Sequence, residues 1–346
     1  MTDFAGWKMP LRYSSDREEH TAVRERAGMF DLSHMGQIRV EGPDAGMLLD
    51  YAFVSVLSSM QVGRARYTLM VNEQGGIIDD LIVYRNDETD FLVIANGANR
   101  LRVVGELTRR SQLIDARVAV QDNTTARSLI AVQGPASIDI VASVVDRPDD
   151  VEALGYYRHG LFTIDGAPVH IARTGYTGEL GYEIMSDANG ATHLWEALTV
   201  AGEPFGLIPC GLSARDTLRL EAGMPLYGNE LTAERTPAAV GQGRVVKLDH
   251  DFVGADALRE EDAPSTALYG LVGEGRRAAR AGSVVSIDGK EVGFITSGVL
   301  SPTLGYPIAL ALLAPGLDEG QTVSVDVRGK QQSMTITQLP FYKNSN

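Results

Sequence analysis

The chain has 346 residues, 44% of them hydrophobic, and its 45 acidic and 31 basic residues give a formal net charge of −14 at pH 7. This length allows two or three domains, and the acidic balance disfavours nucleic-acid binding because phosphate backbones require clustered cations. The single cysteine, Cys210, excludes an intramolecular disulfide and a multi-cysteine metal site, and its apolar neighbours predict a buried structural thiol. We see no signal peptide and no apolar run long enough to span a membrane, and so predict a cytoplasmic protein with no membrane partner.

The first third of the chain predicts short helices followed by antiparallel strands. Ser15, with Glu18 three residues later, resembles a capping box, so we predict a helix over residues 14–28. A strand-like run from Met29 to Val40 predicts one continuous strand. A helix near 45–52, an antiparallel meander of three strands and a further helix to about residue 110 follow. The three meander strands are predicted over 64–71, 77–84 and 91–95.

Two adjacent carboxylates, Asp79 and Asp80, lie within the second strand of this meander. Successive side chains of a strand point to opposite faces, so we predict that the two carboxylates occupy different environments and that at least one is packed. An unpaired ionised carboxylate out of water is costly. Spacing alone leaves two interpretations. Either the hairpin has one acid on a solvated face and the other capping the turn, or one of the acids is buried and transfers protons or binds a cation.

The middle of the chain predicts a second set of strands and a glycine-rich turn. A strand near 129–133, a helix that begins after Gly134 and two strands over 155–173 are followed by three glycines within seven residues, which predict a tight turn. Glu183 lies between Tyr182 and Ile184, so it projects to the face opposite theirs. As a single residue it is either an exposed strand acid or a functional carboxylate.

The last third contains a charged helix, a linker and a run of short strands. Arg215 and Arg219 are four residues apart on a predicted helix over 211–223 and share a face with Asp216, which is typical of an ion-paired surface. A change of composition near 260–265 predicts a linker. Beyond it, six short strands with glycine turns predict a small all-β barrel or sandwich.

Several separated strings resemble, in the same order, the aminomethyltransferase family, the T-protein of the glycine cleavage system. The resemblance extends over essentially the whole chain. The strings are FAGWKMP (4–10), FDLSHMGQ (30–37), GGIIDDLIV (75–83), NGAN (96–99), TGYTGELGYEI (174–184), ARDTLRLEAG (214–223), PLYG (225–228), DFVG (251–254) and TSGVLSPTLG (296–305).

This resemblance implies an α+β fold, a three-domain cloverleaf around a central folate channel, with antiparallel sheets plus helices and a C-terminal all-β barrel. It implies a folate-binding catalytic region over 1–265, made of two intertwined α+β domains with the inserted one at about 45–125, and a barrel domain over 266–346. The implied activity takes an aminomethyl group from the lipoyl arm of the H-protein, releases ammonia and gives 5,10-methylenetetrahydrofolate. Tetrahydrofolate is the co-substrate, the H-protein is the partner, and no metal is implied.

The resemblance also implies which side chains act. Asp80 matches the carboxylate beside the folate N5 and N10 atoms, and we expect it to orient and stabilise positive charge, because an Asp at its ordinary pKa is a poor base at neutral pH. Glu183 is expected to accept both donors of the pterin edge in a bidentate arrangement. The implied folate-binding residues are Glu183, Arg215, Met35, Ile94 and Asn96.

Two alternatives share this architecture. A folate-dependent demethylase of a small methylated compound uses the same fold without a carrier protein. A folate-binding protein of iron–sulfur assembly is not a transferase, but its group carries a cysteine-containing motif where this chain has Tyr176-Thr-Gly-Glu. The sequence therefore favours the aminomethyltransferase.

Overall fold

Short strands and helices alternate along the computed structural model, which describes residues 1–344. In chain order the strands are β1 (Thr2–Phe4), β2 (Trp7–Met9), β3 (Gly28–Asp31), β4 (Gly36–Glu41), β5 (Ala65–Val71), β6 (Ile77–Arg85), β7 (Asp90–Ala95), β8 (Ala119–Asp122), β9 (Arg127–Gln133), β10 (His159–Ile164), β11 (Ala167–Ala172), β12 (Gly181–Asp187), β13 (Ile208–Pro209), β14 (Ala267–Gly273), β15 (Val284–Ile287), β16 (Lys290–Leu300), β17 (Pro307–Leu313), β18 (Thr322–Val327) and β19 (Lys330–Thr337). The α-helices are α1 (Asp16–Glu25), α2 (Ala45–Ala52), α3 (Arg100–Leu113), α4 (Ser137–Val144), α5 (Pro148–Glu152), α6 (Ala191–Gly202), α7 (Leu212–Glu221) and α8 (Ala255–Arg259). Within the described part of the chain, no helix has the length and apolar character needed to cross a membrane.

The strands form two open sheets and one closed barrel, beside the small β1–β2 hairpin. The first sheet has the order β5-β6-β7-β4-β8, and the second has the order β10-β11-β12-β9-β3-β13. The barrel closes in the order β14-β17-β16-β15-β18-β19. The α+β class and the C-terminal barrel are therefore confirmed, and closure leaves the barrel without an open sheet edge.

Each open sheet is covered by helices on one face and packs against the other open sheet with its second face. Apolar side chains of α2 and α3 pack on the first sheet, and those of α4 and α6 pack on the second. A third apolar cluster, which we call the intersheet core, draws residues from both sheets and from α1 and α7. Its buried members are Val23, Phe30, Leu32, Ala65, Tyr84, Leu92, Ile94, Leu129, Ala131, Ala172, Met185, Cys210, Ala214 and Leu218. It brings strand β6 of the first sheet against strand β12 of the second.

Most locally predicted elements are confirmed. The backbone N–H of Glu18 donates to the Ser15 hydroxyl at 3.2 Å, so Ser15 caps α1 as its spacing predicts. The meander is the antiparallel run β5, β6 and β7. Cys210 is buried, as expected of a structural thiol.

The predicted continuous strand from Met29 to Val40 is wrong. The chain forms β3 in the second sheet, turns over residues 32–35, and enters β4 in the first sheet. The turn is stabilised by hydrogen bonds from the Ser33 N–H to the Asp31 carboxylate at 2.9 Å and from the Met35 N–H to the Leu32 carbonyl at 2.9 Å. A short polar side chain that bonds its own backbone thus overrides strand propensity and carries the chain between sheets.

The barrel docks on α7 through a buried polar network. The predicted ion pair of Arg219 with Asp216 forms at 2.7 Å, but the prediction that this arginine lies on the surface is wrong. Arg219 is only 1% exposed and donates to Glu230 at 3.2 Å and to Ser297 of β16 at 2.9 Å. The Ser297 hydroxyl also donates to Glu230 at 2.7 Å. Arg219 therefore joins helix α7 to the barrel, since its long side chain reaches across the junction.

We predict that Arg219→Ala lowers the free energy of unfolding by about 3–5 kcal/mol, because it leaves the buried Glu230 carboxylate without its cation. Urea denaturation of the purified protein measures this change. The control is Arg12→Ala, which removes an exposed pair with Asp16 at 3.5 Å and should change stability by less than about 1 kcal/mol. Equal losses in the two variants would contradict the structural role of Arg219.

Candidate functional site

Asp79 and Asp80 meet at one amide side chain despite pointing to opposite faces of β6. Asp79 is fully buried and accepts from the backbone N–H of Asn96 at 3.0 Å, from Asn96 Nδ2 at 2.9 Å and from Asn99 Nδ2 at 2.6 Å. Asn96 Nδ2 also lies 2.8 Å from Asp80 Oδ1. The prediction that at least one of the two carboxylates is packed is confirmed, since Asp79 is buried. What the prediction did not include is Asn96, which follows the end of β7 and reaches both carboxylates.

Burial raises the pKa of both carboxyl groups, and the charge of Asp80 raises the pKa of Asp79 further. The amide donors of Asn96 and Asn99 and the hydroxyl of Tyr67 oppose this rise without cancelling it. The expectation that Asp80 keeps its ordinary pKa is thus wrong. An acid whose pKa is raised towards neutrality can exchange protons in the physiological range, in addition to stabilising positive charge.

Tyr67 holds the second oxygen of Asp80. In the β5–β6 ladder Leu69 is paired with Asp80 and Tyr67 is paired with Ile82, so Tyr67 is the diagonal neighbour of Asp80. The Tyr67 hydroxyl lies 3.3 Å from Asp80 Oδ2. The sequence analysis missed Tyr67, although strand alternation and the hairpin register contain the signal that places it beside Asp80.

Glu183 lies on β12 with the orientation that its neighbours predict. Tyr182 and Ile184 pack in the core beneath the second sheet, whereas Glu183 faces the first sheet and is 8% exposed. Its Oε2 accepts from the hydroxyl of Thr174 at 2.5 Å and from the hydroxyl of Tyr84 at 3.2 Å. The interpretation of an exposed strand acid is therefore excluded, and both hydroxyl partners were missed from the sequence.

Arg215 is half-buried on α7, with its guanidinium carbon 4.7 Å from the centre of the Tyr176 ring. No carboxylate of residues 1–344 lies within ion-pair distance of Arg215. The neighbouring Asp216 pairs with Arg219 instead. Burial lowers the pKa of Arg215, while the negative charges of Glu183 and Asp80 oppose that change. The charges of Glu183 and Asp80 both act on Arg215, so these three predicted site residues lie near one another, and we refer to them as the polar cluster.

Apolar side chains lie beside this polar cluster. Ile94 belongs to the intersheet core and the half-buried Met35 packs against it. His34, next to Met35, is buried, and burial lowers its pKa to about 4, so its ring is neutral near pH 7. A planar ligand at this position could contact apolar surface, offer N–H groups to Glu183 and accept hydrogen bonds from Arg215.

Two surface cavities lie away from this polar cluster. A cavity of about 400 Å³ is lined by residues of α2 and by His250, and a second of about 340 Å³ is lined by residues of α3 and α8. Neither is lined by Asp80, Glu183 or Arg215. Across residues 1–344, no group of three or more His, Cys, Asp and Glu side chains is arranged to hold a metal ion.

Two family models together match nearly the whole chain. The GCVT N-terminal domain matches residues 1–250, and the glycine cleavage T-protein C-terminal barrel domain matches residues 267–343. The second match coincides with the closed barrel of β14 to β19.

Proteins named aminomethyltransferase are similar over the full length. The one from Cutibacterium acnes is 51% identical over 99% of this chain and 95% of its own length, and the one from Streptomyces avermitilis is 53% identical over 99% and 94%. A crystal structure of the glycine cleavage system aminomethyltransferase T from Bartonella henselae superposes with a TM-score of 0.89 at 34% identity, covering 99% of this chain and 94% of that one.

The raised pKa values of Asp79 and Asp80 predict how the free energy of unfolding depends on pH. A carboxyl pKa that is higher in the folded state means that the folded protein binds more protons than the unfolded chain, so this pair stabilises the fold less as pH rises from about 5 to 8. Asp80→Asn removes one group and its repulsion of Asp79. We therefore expect the unfolding free energy of Asp80→Asn to fall less steeply over this range, by on the order of 1 kcal/mol. Denaturation at four pH values measures both profiles, and parallel profiles would refute the raised pKa.

Proposed function

This chain belongs to the aminomethyltransferase family, the T-proteins of the glycine cleavage system, and on that premise we propose that it transfers a one-carbon unit from an aminomethylated lipoyl H-protein to tetrahydrofolate. The products are ammonia, 5,10-methylenetetrahydrofolate and the H-protein with its reduced lipoyl group. Tetrahydrofolate is a substrate here, and the protein binds and orients it.

The observation that carries this proposal is the convergence of Asp80, Glu183 and Arg215 in one cluster. The three residues come from β6, β12 and α7, and the intersheet core and α7 hold those elements together. The same cluster contains a carboxylate oxygen and a guanidinium that have no ion-pair partner within residues 1–344. Such groups fit a ligand that supplies both N–H donors and acceptors, as the pterin ring of tetrahydrofolate does.

We assign binding of the pterin to Glu183 and Arg215. A carboxylate accepts from the ring N–H groups, and a guanidinium donates from a fixed planar fork to a carbonyl or ring nitrogen. Arg215 is preoriented by its stacking on Tyr176. Asn96 positions the Asp80 side chain, while Met35 and Ile94 supply apolar contacts.

We assign the chemical step to Asp80. A folate nitrogen attacks the aminomethyl carbon, the bond from that carbon to the amine nitrogen breaks, and the amine leaves as ammonia with the proton of the attacking nitrogen. The second folate nitrogen then closes the methylene bridge, the bond to the lipoyl sulfur breaks, and the proton of that nitrogen passes to the sulfur. Positive charge develops at the one-carbon unit along this path. The Asp80 carboxylate, held by Asn96 and Tyr67, stabilises that charge, and its raised pKa also suits it to take up a folate N–H proton.

The H-protein is proposed to dock on a basic segment of the barrel. Arg276, Arg277 and Arg280 lie in the loop between β14 and β15, are exposed, and form no ion pair within residues 1–344. This local positive charge contrasts with the net charge of −14. A cationic loop on an acidic protein would steer an acidic carrier to this face.

Purified protein, tetrahydrofolate and aminomethylated lipoyl H-protein test the proposal directly. We expect ammonia and methylenetetrahydrofolate to form only when all three are present. Tetrahydrofolate binding without turnover that depends on the carrier would overturn the aminomethyltransferase assignment and direct the search to a demethylase with a free methylated substrate.

We predict that substitutions at Asp80 and Glu183 separate catalysis from binding. Asp80→Asn should keep the fold and tetrahydrofolate binding but lower kcat by about 10²–10³-fold, because the charge that stabilises the transition state is lost. Glu183→Ala should raise the KM for tetrahydrofolate by about tenfold or more, with a smaller change in kcat. Steady-state kinetics measure both, and an unchanged kcat in Asp80→Asn would refute its catalytic role.

Charge reversal tests the docking surface. The triple substitution Arg276→Glu, Arg277→Glu and Arg280→Glu should raise the KM for H-protein by about tenfold at low salt and leave the KM for tetrahydrofolate unchanged. The effect should shrink as salt rises, because exposed charges are screened.

A matched control reverses three other exposed cations of the barrel, Lys290, Arg328 and Lys330, which gives the same net charge. An equal rise in the KM for H-protein in both triple variants would show a general charge effect and refute the docking surface.

A further inference from the structure

Two buried hydroxyl groups bind the same oxygen of Glu183. Thr174 Oγ1 donates to Glu183 Oε2 at 2.5 Å, and Tyr84 OH lies 3.2 Å from Oε2 and 3.1 Å from Thr174 Oγ1. Tyr84 is fully buried and Thr174 is 1% exposed. We assign neither hydroxyl a role in the chemical step, and both bind the carboxylate that we assign to the pterin.

The two carboxylate oxygens of Glu183 differ in their hydrogen-bond partners. A carboxylate oxygen accepts about two hydrogen bonds, and the two hydroxyl hydrogens near Oε2 occupy that capacity. Oε1 has no hydrogen-bond partner within residues 1–344 and is not fully enclosed. A ligand therefore meets Oε1, which differs from the expected bidentate arrangement that uses both oxygens.

Tyr84 is held in place by two histidine rings. His159 and His170 contact the Tyr84 ring edge-on at centroid distances of 5.2 and 5.6 Å. His159 Nε2 donates to the Arg64 carbonyl at 3.1 Å, so its Nδ1 accepts from His170 Nε2 at 2.6 Å. Burial lowers the pKa of both histidines, so this pair remains neutral and keeps one arrangement near pH 7.

Thr174 is held in place by the buried side chain of Gln133. Gln133 Nε2 donates to the Thr174 carbonyl at 3.1 Å, and Gln133 Oε1 accepts from Thr177 at 2.9 Å. A Cβ at Gly175 or Gly181 would lie 2.1 or 2.2 Å from the Gln133 amide. The glycines of this turn therefore leave room for Gln133, which holds the Thr174 carbonyl and the Thr177 hydroxyl.

We propose that Thr174 and Tyr84 are positioning residues that lock Glu183 with Oε2 occupied and Oε1 presented to the N–H donors of the folate pterin. This inference rests on the proposed function and extends it to the specificity of the same site. Because the carboxylate is already fixed, little side-chain freedom is lost when the ligand binds. Since the free oxygen can only accept, a ring with an acceptor in place of its N–H group is disfavoured at this position.

The test compares Thr174→Val, Thr174→Ser and Tyr84→Phe in the transferase assay, with direct tetrahydrofolate binding by calorimetry. Thr174→Val should raise both Kd and KM for tetrahydrofolate by about tenfold while kcat changes by no more than about twofold. Thr174→Ser retains the hydroxyl and should restore both constants to within about threefold of the wild type. Tyr84→Phe should show a smaller rise, because its contact with Oε2 is longer. Thr199→Val, an exposed substitution on α6, serves as the matched control and should alter neither constant.

Unchanged Kd in both Thr174→Val and Tyr84→Phe overturns the proposal, and so does a loss of kcat with unchanged Kd. If Thr174→Val does not fold, Tyr84→Phe still decides, because a Kd equal to that of the wild type overturns the shared role. Wild-type protein that binds tetrahydrofolate without carrier-dependent turnover overturns the transferase assignment, whereas the Kd comparison then still tests the positioning role. Wild-type protein that does not bind tetrahydrofolate overturns both.

Discussion

The burial of apolar side chains between the two open sheets is the constraint on which the site depends. The intersheet core holds β6 against β12, and this contact places the Tyr84 hydroxyl beside Glu183. Without that packing, the carboxylates on the two strands would each face water and keep their ordinary properties. The same exclusion of water raises the pKa of Asp80. Arg215 stacks on Tyr176 and has no ion-pair partner among residues 1–344.

Charged groups in such a place are costly, and the structure offsets the cost with specific donors. Asp79 accepts three hydrogen bonds from Asn96 and Asn99, and Asp80 accepts from Asn96 and Tyr67. Their raised pKa values show that this compensation is incomplete. Sites that bind and transform ligands commonly retain such destabilised groups, because a ligand or a developing charge can satisfy them.

The barrel contributes to the site indirectly, because it holds helix α7. Its Ser297 hydroxyl and the buried Glu230 hold Arg219, which is one helical turn from Arg215 on α7. A second contact at the same junction joins Glu221 to Ser301 and Thr303. The barrel therefore fixes the position of α7, and through it the guanidinium that we assign to the pterin.

The sequence by itself determined most of the local elements. Strand alternation placed Glu183 opposite Tyr182 and Ile184, the Ser15 cap marked the start of α1, and the regular spacing of glycine turns predicted the barrel strands. These features depend on residues only a few positions apart. Resemblance to the family supplied Asp80, Glu183 and Arg215, which spacing alone left open between surface and functional roles.

Only the tertiary structure decided which groups meet. Tyr84 and Glu183 are 99 residues apart and Arg219 and Ser297 are 78 apart, so no local pattern links them. Three other features also depend on tertiary structure. They are the meeting of Asp79 and Asp80 at Asn96, the break between β3 and β4, and the unequal oxygens of Glu183. Their physical reason is common to all: a buried polar group takes its properties from the partners that packing brings to it, and those partners come from distant parts of the chain.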